Sequence, residues 1–426
     1  VKNISKKLSL RELFFIALGG ESPFISLISF GTFTVAIAGR NAPLAALIGL
    51  CIVLLNGLVI YYLAQRIYRI GGYYSYAFFG LSQRLGFQSG WSYILFGLTY
   101  GSSLMAGGSY IFHVLTKFDE ITTTIIVLII TLILTFAGVK ISAKYAEIVS
   151  FGELIVISIL ALFFLYQSNF NIYNPFEIQT SSDALFYSIL FSVNLMAGYE
   201  ALNPLSQETR EARRVVGLAS LLAIIATGVT IFFFLYSLGS VYFTGNLTNF
   251  LVNQFGIFSQ VGVSLVALSD AILGCIVFII AVSRVIAAMA EDEFIPKLFS
   301  KPWRSRPIFA ELLTYAVFSM IILILTKSFG LYNTLEITGA LAGLSNILVH
   351  LQANFALFRI SLKRIHKRIP QILVSLGATI ISAIVLANLI PIVSNYIVYF
   401  FFGWIITGFV IIEAIEIART TKEEED

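Results

Sequence analysis

Leu13-Phe14-Phe15-Ile16-Ala17-Leu18-Gly19-Gly20-Glu21-Ser22-Pro23-Phe24-Ile25-Ser26-Leu27-Ile28-Ser29-Phe30 decides the class of this chain. The stretch is apolar and long enough to cross a bilayer. Two glycines, a carboxylate and a proline interrupt it at the centre. A helix interior rejects Gly and Pro. A hydrocarbon core rejects loose backbone and charge unless they line a protected cavity. The interruption therefore reads as a place where something small and polar binds.

Composition agrees. Hydrophobic residues make up 58% of the 426 residues and charged ones 12%, about half the charged fraction of a soluble domain. The mean hydropathy is +0.90. Cys51 and Cys275 both lie in apolar stretches and imply no disulfide. The polar start Val1 to Ser9 runs into a full-length span with no small-residue cleavage site, so no cleaved leader is expected. No glycine-rich phosphate loop, zinc spacing or basic nucleic-acid patch is visible. The expectation is no cofactor, no metal, no catalytic residues, no nucleic-acid partner and no enzyme activity.

Apolar stretches of crossing length fall at about 11–37, 42–65, 86–114, 121–139, 146–167, 185–206, 215–243, 261–290, 309–327, 331–358, 370–390 and 392–417. The expected fold is an all-α polytopic membrane protein with 12 transmembrane helices. Basic residues set its direction. One side receives Lys2, Lys6, Lys7, Arg11, Arg66, Arg69, Arg84, Lys140, Lys144, Arg210, Arg213 and Arg214. It also receives Lys297, Lys301, Arg304, Arg306, Arg359, Lys363, Arg364, Lys367, Arg368, Arg419 and Lys422. The other side receives only Arg40, Lys117 and Lys327, and Arg284 lies within a span. The positive-inside rule then places both termini in the cytoplasm of a multi-pass protein of the cell (plasma) membrane.

The sixth span repeats the oddity of the first in Ala197-Gly198-Tyr199-Glu200-Ala201-Leu202-Asn203-Pro204. The first span runs outward and the sixth inward, so the breaks are related by inversion. Such paired breaks point to a binding site at the midplane of an inverted repeat. The bland alternative is that each Gly/Pro cluster permits a kink or close helix packing. The expected organisation is a cytoplasmic N-terminus (1–10), repeat 1 with spans 1–5 (11–167), repeat 2 with spans 6–10 (168–358), spans 11–12 (359–418) and a cytoplasmic tail (419–426).

Four motifs resemble the amino acid–polyamine–organocation family of permeases: the break at Gly19 to Phe24, Gly71-Gly72-Tyr73-Tyr74-Ser75-Tyr76, Gly198-Tyr199-Glu200 followed by Glu208 and Arg213-Arg214, and Ser283-Arg284 followed by Asp292 and Pro296-Lys297. Gly138-Val139-Lys140 before the fifth span is also similar. The resemblance covers spans 1 to 10. It implies a leucine-transporter-like fold, a 5+5 inverted repeat with broken helices 1 and 6 plus two C-terminal helices. Spans 1 and 6 unwind in that fold to hold the substrate. It implies a secondary transporter, symporter or antiporter, for amino acids or related amines. A polyamine or organocation exchanger is the alternative, and a channel or membrane-embedded enzyme the remote one. The implied partners are the amine substrate, a coupling proton or Na⁺, and the lipid bilayer. The chain departs from the family pattern in carrying Glu21 and Pro23 at the first break.

Candidate substrate-binding residues are Gly19, Gly20, Glu21, Ser22, Phe24, Ala197, Gly198, Tyr199, Glu200 and Asn203. Glu21 in the first break favours a substrate carrying positive charge. Asn203 has a blander role in satisfying the broken helix's backbone, and Glu200 one in holding it. Glu153, about 10 Å into the fifth span, and Ser283 in the eighth are the ion-coupling candidates implied by the resemblance. The rival reading of Glu153 is pairing with a base such as Lys144. Asp270 lies in the outer half of the eighth span, and His350 with Asn346 in the tenth; packing is the simpler role for the latter.

Overall fold

The structure is a computed structural model that describes residues 7–137, 139–243, 245, 247–303, 306–391 and 393–425. Val1, Lys2, Lys6, Gly138 and Arg304, used in the sequence reading, lie outside the described residues.

The described residues are almost all helical, with only two isolated β-bridges and no strand. The first apolar stretch does not form one helix. It divides into α1 (Leu10–Glu21), the single turn α2 (Pro23–Ser26), a π-helical turn at Leu27–Gly31 and α3 (Thr32–Ala38). Then come α4 (Ala42–Ala64), the short α5 (Tyr73–Gly80) and α6 (Gln83–Thr116). They are followed by α7 (Glu120–Ala137), α8 (Val139–Gln167) and α9 (Ser182–Asn194). A 3-10 segment, Tyr199–Glu208, follows the second break. The chain continues with α10 (Ala212–Ser240), α11 (Leu247–Glu291), α12 (Ile308–Leu362), α13 (Ile365–Leu389) and α14 (Asn395–Glu425).

Among the described residues, nine helical stretches are long and apolar enough to cross a membrane. The expected span at 86–114 is present as α6 but falls outside that set, because its buried Gly, Ser and Thr residues lower its hydropathy. Two expected loops are partly helical. α8 begins at Val139 rather than near 146, and α11 begins at Leu247 within the expected loop 244–260, with a non-helical residue at Gly256. The stretches at 309–327 and 331–358 are joined in α12, whose regularity is interrupted at Gly330 (φ 78°).

The polarity is that of a multi-pass membrane protein. Ile125, Ile129 and Ile133 on α7, and Tyr399, Ile406 and Val410 on α14, point outward, the kind of surface a bilayer requires. Polar groups turn inward. At the centre α6 runs along α11 and α12. Glycines in α6 let these helices approach closely: a Cβ at Gly101 would press on Phe318 and Phe278, and one at Gly108 on Ala267 and Ala271.

Candidate functional site

Pro23 cannot donate to the helix before it. α1 therefore ends at Glu21, and Ser22 adopts the left-handed conformation (φ 45°, ψ 65°). The Ser22 amide still donates to Leu18 O at 2.9 Å, its Oγ donates to Gly19 O at 2.9 Å, and Ser26 Oγ donates to Glu21 O at 2.8 Å. These bonds take up the carbonyls of Leu18, Gly19 and Glu21 at the end of α1. The amides that open α2 go to two carboxylates from other helices. Ile25 N donates to Asp270 Oδ2 of α11 at 2.9 Å, and Phe24 N makes a long bond of 3.5 Å to Glu153 Oε2 of α8.

The second break is centred on Gly198, whose φ of 125° and ψ of −25° lie where L residues are strained. Its loose backbone groups are also captured by side chains. Tyr100 donates to Ala197 O at 2.7 Å, Gly198 N donates to Glu200 Oε2 at 2.5 Å, and Tyr93 donates to Glu200 O at 3.1 Å. Asn203 Nδ2 donates to Glu200 O at 3.3 Å and its Oδ1 accepts from Tyr76 at 3.1 Å. The Glu200 carboxylate reaches across to α12, where Oε1 accepts from Asn346 Nδ2 at 2.7 Å and His350 Nε2 at 2.9 Å. Tyr199 Oη lies 3.3 Å from the same nitrogen. Glu200, Asn346 and His350 thus fasten the second break to α12. A carboxylate holding a buried amide and two buried donors is a rigid unit.

The two breaks touch. A Cβ on Gly198 would overlap the Gly20 carbonyl and the Glu21 amide nitrogen, and one on Gly20 would sit 2.5 Å from Gly198 O. Gly19 lies against Leu273 of α11. Gly19, Gly20, Glu21, Ser22, Phe24, Ala197, Gly198, Tyr199, Glu200 and Asn203 are all buried.

Glu21 is fully buried and accepts a hydrogen bond from Thr227 of α10 at Oε2, while Oε1 has no protein partner. Its neighbour is a hydroxyl, not a base. Glu153 faces the first break and Asp270, not Lys144. Ser283 lies elsewhere, thirteen residues and about 20 Å further along α11. Its Oγ donates to Ile280 O and accepts from Arg284 Nη1 at 2.9 Å. Arg284, 0% exposed, bonds Glu208 at 2.7 Å and Glu311 at 2.5 Å, and Glu311 also holds Arg306 at 2.6 Å. Ser283 thus belongs to this ion-pair cluster at the end carrying the basic loops, together with Glu208 from the end of the 3-10 segment.

Two cavities are lined by residues that flank the second break along the chain, Ser206 and Gln207 in one and Asn194 in the other. On the basic side an opening of about 840 Å³ is lined by Arg66, Arg69, Ser206 and Gln207 among others. On the opposite side one of about 240 Å³ is lined by Phe30, Phe33, Phe191, Asn194 and Glu336. The carboxylates of Glu21, Glu153 and Asp270 line neither cavity, and none is ion-paired among the described residues. Such a centre suits an ammonium group or protons and disfavours a bare anion.

The sequence pointed to both breaks, to Glu153 and to Asp270 as an oddity. It gave no reason to single out Thr227, Tyr93 or Tyr100, because buried Thr and Tyr are ordinary and only their direction makes them notable here. His350 and Asn346, for which a satisfied packing role was the simpler expectation, are buried and find their partner in Glu200, which the sequence did not identify.

Compared with known protein families, the chain matches the amino acid permease family over residues 12–419. No curated protein matches it.

Proposed function

We propose, from the premise that the chain belongs to the amino acid permease family, that it is a secondary active transporter of amino acids or related amines. Family membership points to amino acid transport across the membrane; the mechanism proposed here is alternating access around the two breaks. The observation that carries this reading is the backbone contact between Gly20 and Gly198. Two interrupted helices meeting at depth, each with an unwound segment held by side chains, make a site whose halves can part.

The proposed architecture has twelve spans. α1 to α3 make one broken span, α9 with the 3-10 segment makes another, and α12 counts as two spans divided at Gly330. In this reading spans 1–5 and 6–10 form an inverted 5+5 repeat. Both termini are cytoplasmic in the plasma membrane, as the basic loops favour. The substrate contacts Gly19, Gly20, Glu21, Ser22 and Phe24 on one side and Ala197, Gly198, Tyr199, Glu200 and Asn203 on the other. Uptake is coupled to an ion at Glu153, while Ser283 acts with Arg284 at the inner end.

A second reading, an exchanger of polyamines or other organic cations, is favoured by one feature. The opening amides of α2, which would otherwise greet a substrate carboxylate, are held by Glu153 and Asp270.

The test is counterflow in proteoliposomes. Saturable exchange of a labelled amino acid, with competition between amino acids and their decarboxylated amines, supports a carrier and selects between the two readings. Flux that never saturates, or no counterflow with either class, refutes both.

A further inference from the structure

Glu153 of α8 and Asp270 of α11 converge on the same two-residue stretch of backbone. One takes the amide of Phe24 and the other that of Ile25. Their exposures are 2% and 0%. Each has a second oxygen, Glu153 Oε1 and Asp270 Oδ1, with no hydrogen-bond donor. Bonding adjacent amides brings the two side chains side by side, and Ser22 lies beside Asp270. Neither carboxylate is ion-paired among the described residues.

The other titratable groups facing the pair are Tyr145 of α8, Cys275 of α11 and Tyr100 of α6. None is a cation. Two ionised carboxylates in mutual contact, buried and without a cation, repel each other. A single hydrogen between them removes that repulsion. It converts two orphan acceptors into one donor and one acceptor, as in known carboxylate pairs that share a proton.

We propose that Glu153 and Asp270 form one proton-binding site, in which a single proton bridges the two carboxylates. We infer further that loading and release of this proton couples transport to a proton gradient, an extension that rests on the transporter reading above. The step moves one proton and no electrons. The loaded pair carries one negative charge, and release to water leaves two. The pair grips the first amides after the break in α1, so its charge acts directly on the backbone beside the candidate substrate site. Asp270 is then an equal partner of Glu153.

The test begins with infrared spectroscopy of the purified full-length protein, which needs no substrate and so can fail independently of the transporter reading. Exposed carboxylates are ionised at pH 7. A protonated-carboxyl band should persist there and fall by the same amount in Glu153→Gln and in Asp270→Asn. The double variant should lose no more than either single one. A band unchanged in either single variant, or a double variant losing the sum of both, overturns the shared proton. Melting curves check folding. If an amide variant does not fold, Asp270→Glu and Glu153→Asp replace it, and each should keep the band at a shifted frequency; an unshifted band in both overturns the proposal. In proteoliposomes that show counterflow, pH-driven accumulation should drop at least tenfold in each single variant and no further in the double one. Accumulation driven by Na⁺ at fixed pH, or unaffected by the variants, overturns the coupling role.

Discussion

Gly198→Ala tests whether contact between the breaks is part of the binding-competent arrangement. The residue sits at φ 125° and ψ −25°, where an L side chain costs about 1–3 kcal/mol. Its new Cβ would also occupy the space of the Gly20 carbonyl and the Glu21 amide. These are backbone atoms, so the clash is relieved only if the two breaks move apart. Taking about 3 kcal/mol for strain and separation together, the arrangement in which the breaks touch becomes roughly a hundredfold rarer. Affinity falls by the same factor if that arrangement binds the substrate. Gly20→Ala should do less: its Cβ meets Gly198 O at 2.5 Å and Val277 at 3.3 Å, but its backbone is helical and unstrained. Gly377→Ala is the control, since a Cβ there meets nothing within 4 Å. The assay is equilibrium binding of a labelled substrate to purified protein, with counterflow alongside. Wild-type affinity in Gly198→Ala would refute the reasoning, as would equal losses in Gly198→Ala and the control.

Glu311→Ala strips the buried Arg284 guanidinium of one of its two carboxylates and also releases Arg306. The expected loss is about 3–5 kcal/mol, read as a large fall in melting temperature; a shift no greater than that of a surface variant would refute it. Thr227→Val removes the hydrogen bond to Glu21 and leaves a buried carboxyl with neither oxygen bonded to protein. The expected cost is about 1–3 kcal/mol, and Glu21→Gln combined with Thr227→Val should cost less than the two single changes added. The Thr122 amide, at 3.0 Å, and the Thr122 hydroxyl hold the Asp119 carboxyl below the usual carboxylate range. That stabilisation is complete above the ordinary carboxylate pKa and is lost as pH falls through the depressed one. Protection of the Thr122 amide, taken relative to its intrinsic exchange rate at each pH, should fall only in acid, and Asp119→Ala should abolish that pH dependence of the protection.

The membrane class and the location of both breaks were legible in the linear sequence, because both are local. A bilayer-length apolar run is a composition, and a Gly/Pro interruption disfavours helix wherever it occurs. Pro23 and Gly198 behave as that rule requires. The partners of the breaks were not local. One Glu21 oxygen meets Thr227, 206 residues away in sequence, and the other has no protein partner. Glu153 and Asp270 are 117 positions apart, yet bond adjacent amides because α8 and α11 cross the first break at one level. Ser283 joins the cluster of Glu208 and Glu311 through Arg284, because α11 carries it about 20 Å from Asp270. The direction of a side chain depends on how each helix is rotated and crossed against its neighbours. In helices that are apolar on the outward face as well as on the packed one, hydrophobic periodicity does not report that rotation. Local chemistry thus determined where the chain must open, and tertiary packing decided which distant carboxylates and hydroxyls would close over the openings.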